Sequence, residues 1–196
     1  MNQTQSTQQT QTTIIIPAYN EEEGLGIVLG KLFRVLEETR PPNSEPRTSN
    51  VEHRTYEVIV VDDGSTDRTP EVASRFPVRL IRHETNLGKG EALKTGIKYA
   101  KGENIIWTDA DDTYPVELIV QMAEALRTYD LVVASRRFGR NHIPAFNRIG
   151  NWLFRVLIRL IYGFPAFDPC TGLYGAKKCW LKKMKLSSRR FAIEPE

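Results

Sequence analysis

An α/β fold, with a mostly parallel sheet flanked by helices in a single domain, is the architecture this chain predicts, on three observations. First, the apolar runs Thr13-Ile-Ile-Ile16 and Val58-Ile-Val-Val61 have strand character, and each ends in a polar loop. Second, a helical pattern opens after Asn86-Leu-Gly88-Lys89-Gly90 and stops near Gly102. Third, an apolar run from Ile105 then ends in Asp109, Asp111 and Asp112, ahead of Pro115, which can open a helix. Strand, loop and helix in repeated order build a sheet whose loops gather at one edge. A length of 196 residues, 40% hydrophobic and 26% charged, suits one such domain with a sizeable core.

Residues 1–12 are almost all Gln, Thr, Ser and Asn, which bury no apolar area, so a disordered tail is expected before a domain spanning 13–196. The first strand leads into Pro17-Ala-Tyr19-Asn-Glu21, and the helix after it gives way to residues 40–55, whose three prolines and many polar groups predict a mobile surface loop. His53 falls in that loop. The second strand ends in Asp62-Asp63-Gly64-Ser65-Thr66-Asp67, where Asp67, two residues ahead of Thr69-Pro70-Glu71, reads as a helix N-cap. In the segment 86–90 the glycines admit close backbone approach. With Lys89, the N–H groups of the helix start suit a phosphate or a sugar.

The three aspartates follow a strand at the edge where open α/β sheets hold divalent cations and phosphorylated ligands. Cys170 and Cys179, with no signal-like segment before the core, read as reduced cytosolic thiols. With three histidines in the chain and none near them, they do not suggest zinc.

Charge is divided unevenly. Residues 1–130 carry 14 Lys and Arg against 21 Asp and Glu, whereas residues 131–196 carry 13 against 3. The last third is built to meet an anion. Within it, residues 147–164 place Ile149, Trp152, Leu153, Val156, Leu157, Leu160, Ile161 and Phe164 at helical spacing, beside a stripe of Asn151, Arg155 and Arg159. The stripe interrupts the apolar run too often for a membrane span, which leaves an interfacial helix or one that packs on the core. Nucleic acid is the poorer partner, because the aromatic rings lie away from the arginines.

The motifs Pro-Ala-Tyr-Asn-Glu at 17–21, Val-Val-Asp-Asp-Gly-Ser-Thr-Asp at 60–67, Asn-Leu-Gly-Lys-Gly at 86–90, Asp-Ala-Asp at 109–111 and Asp-Pro-Cys-Thr-Gly-Leu-Tyr-Gly at 168–175 together resemble family 2 glycosyltransferases. The resemblance implies the Rossmann-like GT-A fold, and it is nearest the branch of dolichyl-phosphate mannose synthase and related polyprenyl-phosphate glycosyltransferases. It implies inverting, metal-dependent transfer from a GDP- or UDP-sugar to a polyprenyl phosphate, at the cytoplasmic face of a membrane. Asp109 and Asp111 are then ligands of Mg²⁺ or Mn²⁺. Pro17, Tyr19, Glu21, Asp63, Gly88, Lys89 and Asp109 line the nucleotide sugar, with Asp62 as a brace for the turn. Arg136 and Arg148 match the arginines associated with the acceptor phosphate, and Asp168 orients the sugar or those arginines. Thr113 stands where this branch often has a metal-assisting glutamine. The chain also stops where relatives generally continue, so a truncated C-terminus is expected.

Two other acceptors or roles stay open at the level of sequence. A hydroxyl acceptor would need a base, for which Asp168 or Glu194 is the candidate, whereas a lipid phosphate is already anionic. A GT-A module that binds nucleotide or membrane without catalysis would keep the same motifs. A sugar nucleotidyltransferase fits poorly, since it would begin with a glycine-rich loop and an arginine instead of Pro17-Ala-Tyr-Asn-Glu.

Overall fold

The computed structural model describes residues 11–39, 56–134 and 171–184. In chain order these form β1 (Thr12–Ala18), α1 (Gly24–Glu38), β2 (Tyr56–Asp62), α2 (Thr69–Ser74), β3 (Arg79–Arg82), α3 (Lys89–Tyr99), β4 (Asn104–Trp107), α4 (Leu118–Ala125), β5 (Leu131–Val133), β6 (Tyr174–Lys177) and α5 (Lys178–Lys183). The tail, the 40–55 loop and the 147–164 segment lie outside the described residues.

The strands make one sheet in the order β3-β2-β1-β4-β6-β5. The first four are parallel, and β6 runs antiparallel to both β4 and β5. All seven residues of β1 are buried, as a strand covered on both faces requires. Alternate side chains feed two cores. Ile14, Ile16, Val58 and Val60 meet Leu25, Val28, Leu29 and Leu32 of α1, Val72 and Ala73 of α2, and Ile119 and Met122 of α4. On the other face Ile15, Ile59 and Val61 meet Ala92 and Leu93 of α3, with Leu181 of α5. Burying each of these large aliphatic side chains contributes roughly 1.5–3 kcal/mol. That is a sizeable share of a typical net stability of roughly 5–15 kcal/mol, so the strand ends that carry the loops are firmly seated.

Two local expectations need correction. Pro17 lies inside β1 and not after it. In a parallel strand alternate residues face alternate neighbours: Ile15 accepts the Thr108 N–H on the β4 side, and Ala18 accepts the Asp63 N–H on the β2 side. Pro17 therefore faces β4, which has already ended at Trp107, and its missing N–H removes no ladder bond. Asp67 does bind the start of α2, but as a side-chain turn one position early: its Oδ1 accepts the Thr69 N–H at 2.9 Å and the Thr69 hydroxyl at 2.5 Å, and Arg68 holds the cap position.

Candidate active site

From β1 the chain builds outward through β2 to β3, then returns to place β4 on the opposite side of β1. The gap between the carboxyl ends of β1 and β4 is the switch point at which open α/β sheets bind ligands. The loops after β1, β2, β3 and β4 all arrive at this edge.

The first two of these loops are fastened to each other. The N–H groups of Asn20, Glu21 and Glu22 donate to Ser65 Oγ, Thr69 Oγ1 and Asp67 Oδ2 at 3.0, 2.8 and 3.1 Å. In return Asn20 Oδ1 accepts the Thr66 N–H at 2.9 Å, and Glu22 Oε2 accepts from the Arg68 N–H and Nε. Asn20 sits at φ 55, a conformation asparagine tolerates better than most residues. Burial works to raise the Asp67 carboxyl, but the hydrogen bonds from Thr69 and Glu22 outweigh it and hold the group below the usual carboxylate range. What remains outward is the Tyr19 ring, 45% exposed and open to stacking.

Asp62 and Asp63 are both buried and both occupied. Asp62 Oδ1 accepts the Ser65 N–H at 3.0 Å and so braces the turn as the sequence suggested. Arg82 Nε stands 3.0 Å from Asp62 Oδ2, yet that oxygen has no hydrogen bond of good geometry, so the contact is Coulombic. Asp63 accepts the N–H groups of Leu87 and Gly88 at 3.0 and 2.7 Å, and its Oδ1 lies 2.7 Å from His83 Nδ1. The other ring nitrogen of His83 bonds Thr95 on α3 at 2.9 Å. Asp63 thus shapes the loop that presents Lys89, and Gly88 there adopts φ 94, which a side chain would strain.

The fourth loop carries the aspartates. Asp109 Oδ1 is 2.6 Å from Lys89 Nζ. Asp111 is exposed, with one oxygen accepting the Thr113 N–H at 3.0 Å. Asp112 turns away at φ 59 and chelates Lys31 Nζ of α1 at 2.6 and 2.7 Å. Two glycines let other elements close on this loop. A Cβ on Gly24, at the start of α1, would stand 2.6 Å from the Ala110 carbonyl and 3.0 Å from Asp111 Cα. One on Gly172 would overlap the Asp109 carboxylate and come within 2.6 Å of Tyr114.

Glu21 reports the electrostatics of the gap. Its carboxyl is raised above the ordinary value, by burial first, and then by the negative charges of Asp111, Asp109 and Asp67. Among the described residues the gap gathers Glu21, Asp67, Asp109 and Asp111 around Lys89, and its donors are hard oxygens, the chemistry Mg²⁺ and Mn²⁺ favour. No group of three carboxylate, histidine or cysteine side chains converges among the described residues. Two protein carboxylates, with diphosphate oxygens and water completing the shell, is a common arrangement for these ions. Asp109 and Asp111 fit it.

The sequence model of the glycosyl transferase family 2 matches residues 13–184, which includes every loop just described. The chain belongs to glycosyl transferase family 2. A dolichyl-phosphate hexose transferase of Haloferax volcanii is 32% identical over 162 residues, spanning 82% of this chain and 63% of that one. The human dolichyl-phosphate beta-glucosyltransferase is 34% identical over 164 residues, 79% of this chain and 48% of its own. The glucosyl-3-phosphoglycerate synthase of Mycobacterium tuberculosis, solved with Mn²⁺, UDP and glucosyl-3-phosphoglycerate, superposes with a TM-score of 0.72 at 23% identity, over 95% of this chain and 63% of that one. That likeness shows a GT-A fold. The chain thus spans between about half and two thirds of the length of these relatives.

For this family 2 chain the structure brings together Pro17, Tyr19, Glu21, Asp63, Gly88, Lys89, Asp109 and Asp111 at one edge. Arg136, Arg148 and Asp168 lie outside the described residues, as does Glu194. Sequence reasoning missed Gly24, Lys31, His83 and Gly172. Gly172 sits inside the quoted 168–175 motif, but nothing along the chain says that it meets Asp109. Among the described residues no helix is long and apolar enough to cross a membrane.

Proposed function

We propose that the chain is an inverting, metal-dependent glycosyltransferase that moves a sugar from a nucleoside diphosphate sugar to a polyprenyl phosphate, working peripherally at the cytoplasmic face of a membrane. The observation that carries this reading is the convergence of Asp109, Asp111, Glu21 and Lys89 at the β1/β4 switch point, where the clustered carboxylates suit a divalent cation. The names of the Haloferax and human relatives support the acceptor class, and the Mn²⁺ and UDP bound to the mycobacterial structure support the donor and cation classes.

In this reading Tyr19 stacks on the base beside Pro17, and Glu21 accepts from a ring or ribose group. Asp63 acts through the loop it ties down, setting Gly88 and Lys89 against the diphosphate or the sugar. Asp109 and Asp111 would hold Mg²⁺ or Mn²⁺, which when bound supplies Lewis-acid neutralisation of the departing diphosphate. The bond from the anomeric carbon to the diphosphate oxygen breaks as an acceptor phosphate oxygen bonds the same carbon from the opposite face. The acceptor is anionic at neutral pH, so no residue need remove a proton. Arg136 and Arg148 are assigned to fixing that phosphate, and Asp168 to orienting the sugar or the arginines.

The test incubates the protein with Mn²⁺ and a panel of UDP- and GDP-sugars, with and without polyprenyl phosphate. The expected result is nucleotide release that needs the lipid phosphate, a β-linked product from an α-linked donor by NMR, and about ten- to a hundredfold weaker acceptor use on Arg136→Ala or Arg148→Ala. A soluble sugar hydroxyl as the better acceptor, or retained configuration, would replace this reading.

A further inference from the structure

The positive charge of the last third does not all serve the candidate active site. Its described portion, residues 171–184, carries Lys177, Lys178, Lys182 and Lys183 and no carboxylate. Because β6 runs antiparallel to β4, its end and α5 lie at the amino edge of the parallel strands. Seven residues of β1 put that edge roughly 20 Å from the aspartate loop. There Lys101, Lys178 and Lys182 line an open hollow of about 740 Å³, bordered by Gln11 and Asn104 at the strand starts and by Arg127 beyond α4.

The charges around it are unequally matched. Lys177 is paired with Asp130 at 2.9 Å and Arg127 with Glu124 at 3.2 Å. Glu57 spends one carboxylate oxygen on the Thr13 hydroxyl and the Lys101 N–H. Glu103 also lines the hollow, against three lysines that make no ion pair among the described residues. Lys178 reaches the Ala100 carbonyl. Its ammonium is held below the usual lysine range by burial first and the nearby Lys182 second, with Glu57 opposing them. Like charges brought together at a concave surface are stabilised by an anion that several of them can share.

We infer that this hollow is a second binding site, for a phosphorylated small molecule held by Lys101, Lys178 and Lys182, separate from the candidate active site. Its size is within the range of ligand pockets and accommodates a phosphate-bearing molecule larger than inorganic phosphate. A concave site on the edge opposite the aspartates suits a soluble ligand better than a membrane surface, which would turn the aspartate loop away from the bilayer.

The test is calorimetric titration of the whole chain with pyrophosphate in EDTA-containing buffer, at low and high salt. Lys101 and Lys182 are exposed, so Lys101→Ala with Lys182→Ala should fold normally, as circular dichroism would verify. The expected result is saturable binding that weakens with salt and falls about tenfold or more in the double variant. Lys89→Ala should leave it intact, and the double variant should turn over nucleotide sugar as the wild type does, which separates this test from that of the transfer reaction. Absence of binding, equal affinity in the double variant, or loss of binding in Lys89→Ala would overturn the inference. So would recruitment to anionic vesicles of phosphatidylglycerol without any binding of pyrophosphate.

Discussion

Gly24 and Gly30 belong to the same helix, and alanine should do opposite things at the two positions. At Gly30 a new Cβ meets nothing within 4 Å, so Gly30→Ala gains helix propensity, roughly 0.5–1 kcal/mol. At Gly24 the Cβ would stand 2.6 Å from the Ala110 carbonyl oxygen and 3.0 Å from Asp111 Cα. Both are backbone atoms of the aspartate loop, so no side chain can swing aside, and relief requires the loop or the start of α1 to move by about 0.5–1 Å. Overpacking of this kind costs roughly 1–3 kcal/mol, more than alanine's propensity at a helix end returns. A displacement near 1 Å at positioned ligands can cost on the order of a hundredfold in rate. Urea unfolding should therefore show Gly30→Ala more stable than the wild type and Gly24→Ala less stable by about 1–2 kcal/mol. Calorimetry with Mn²⁺ and UDP or GDP should show unchanged affinity for the first and about tenfold or greater weakening for the second. If Gly24→Ala matched Gly30→Ala in both stability and affinity, the close approach of α1 to the aspartate loop would play no part in shaping the site.

Asp111→Ala should weaken metal-dependent nucleotide binding while leaving the unfolding midpoint nearly unchanged, since the residue is exposed; equal affinities with Mn²⁺ would remove Asp111 from the metal site. Asp63→Ala strands the N–H groups of Leu87 and Gly88, a loss of about 2–4 kcal/mol in urea unfolding, and a change under 1 kcal/mol would show that the loop does not depend on it. Glu21 has a raised carboxyl in the folded chain, so the folded state binds the proton more tightly than the unfolded state does. The penalty is fully present above the folded value and disappears as pH falls through it toward the ordinary 4.5. In metal-free buffer Glu21→Gln should accordingly raise the melting temperature at pH 7 and lose that advantage near pH 4; a constant difference across the range would contradict the electrostatic account.

Much of the candidate site's scaffold was legible because its signals are local. Continuous apolar runs marked β1 and β2, which are buried on both faces, and the aspartates follow β4 directly in the chain. Other elements gave weaker signals. β3 reads Arg-Leu-Ile-Arg, with both ends exposed at the sheet edge, too short and too charged for a pattern. β6 includes a glycine and relies on partners distant in sequence. The contacts that finish the site are all long-range: Lys31 with Asp112, Gly24 with Ala110, Gly172 with Asp109 and His83 with Asp63. No spacing rule along the chain brings such pairs together. The roles of the Asp62–Asp63 pair depend on where neighbouring N–H groups point, which only the folded loops establish.

The place of β6 in the sheet bears on how the chain is made. β1 to β4 can pair as soon as Trp107 is available, forming a parallel half-sheet with the aspartate loop at its rim. Among the described residues β5, at Leu131–Val133, meets the sheet through β6 alone, so that pairing waits for Tyr174–Lys177 to be synthesised. During translation, then, the edge of β4 that β6 covers stays open until residues 174–177 have left the ribosome. The parallel half-sheet and the aspartate loop at its rim are thus laid down before the strand that completes the sheet arrives.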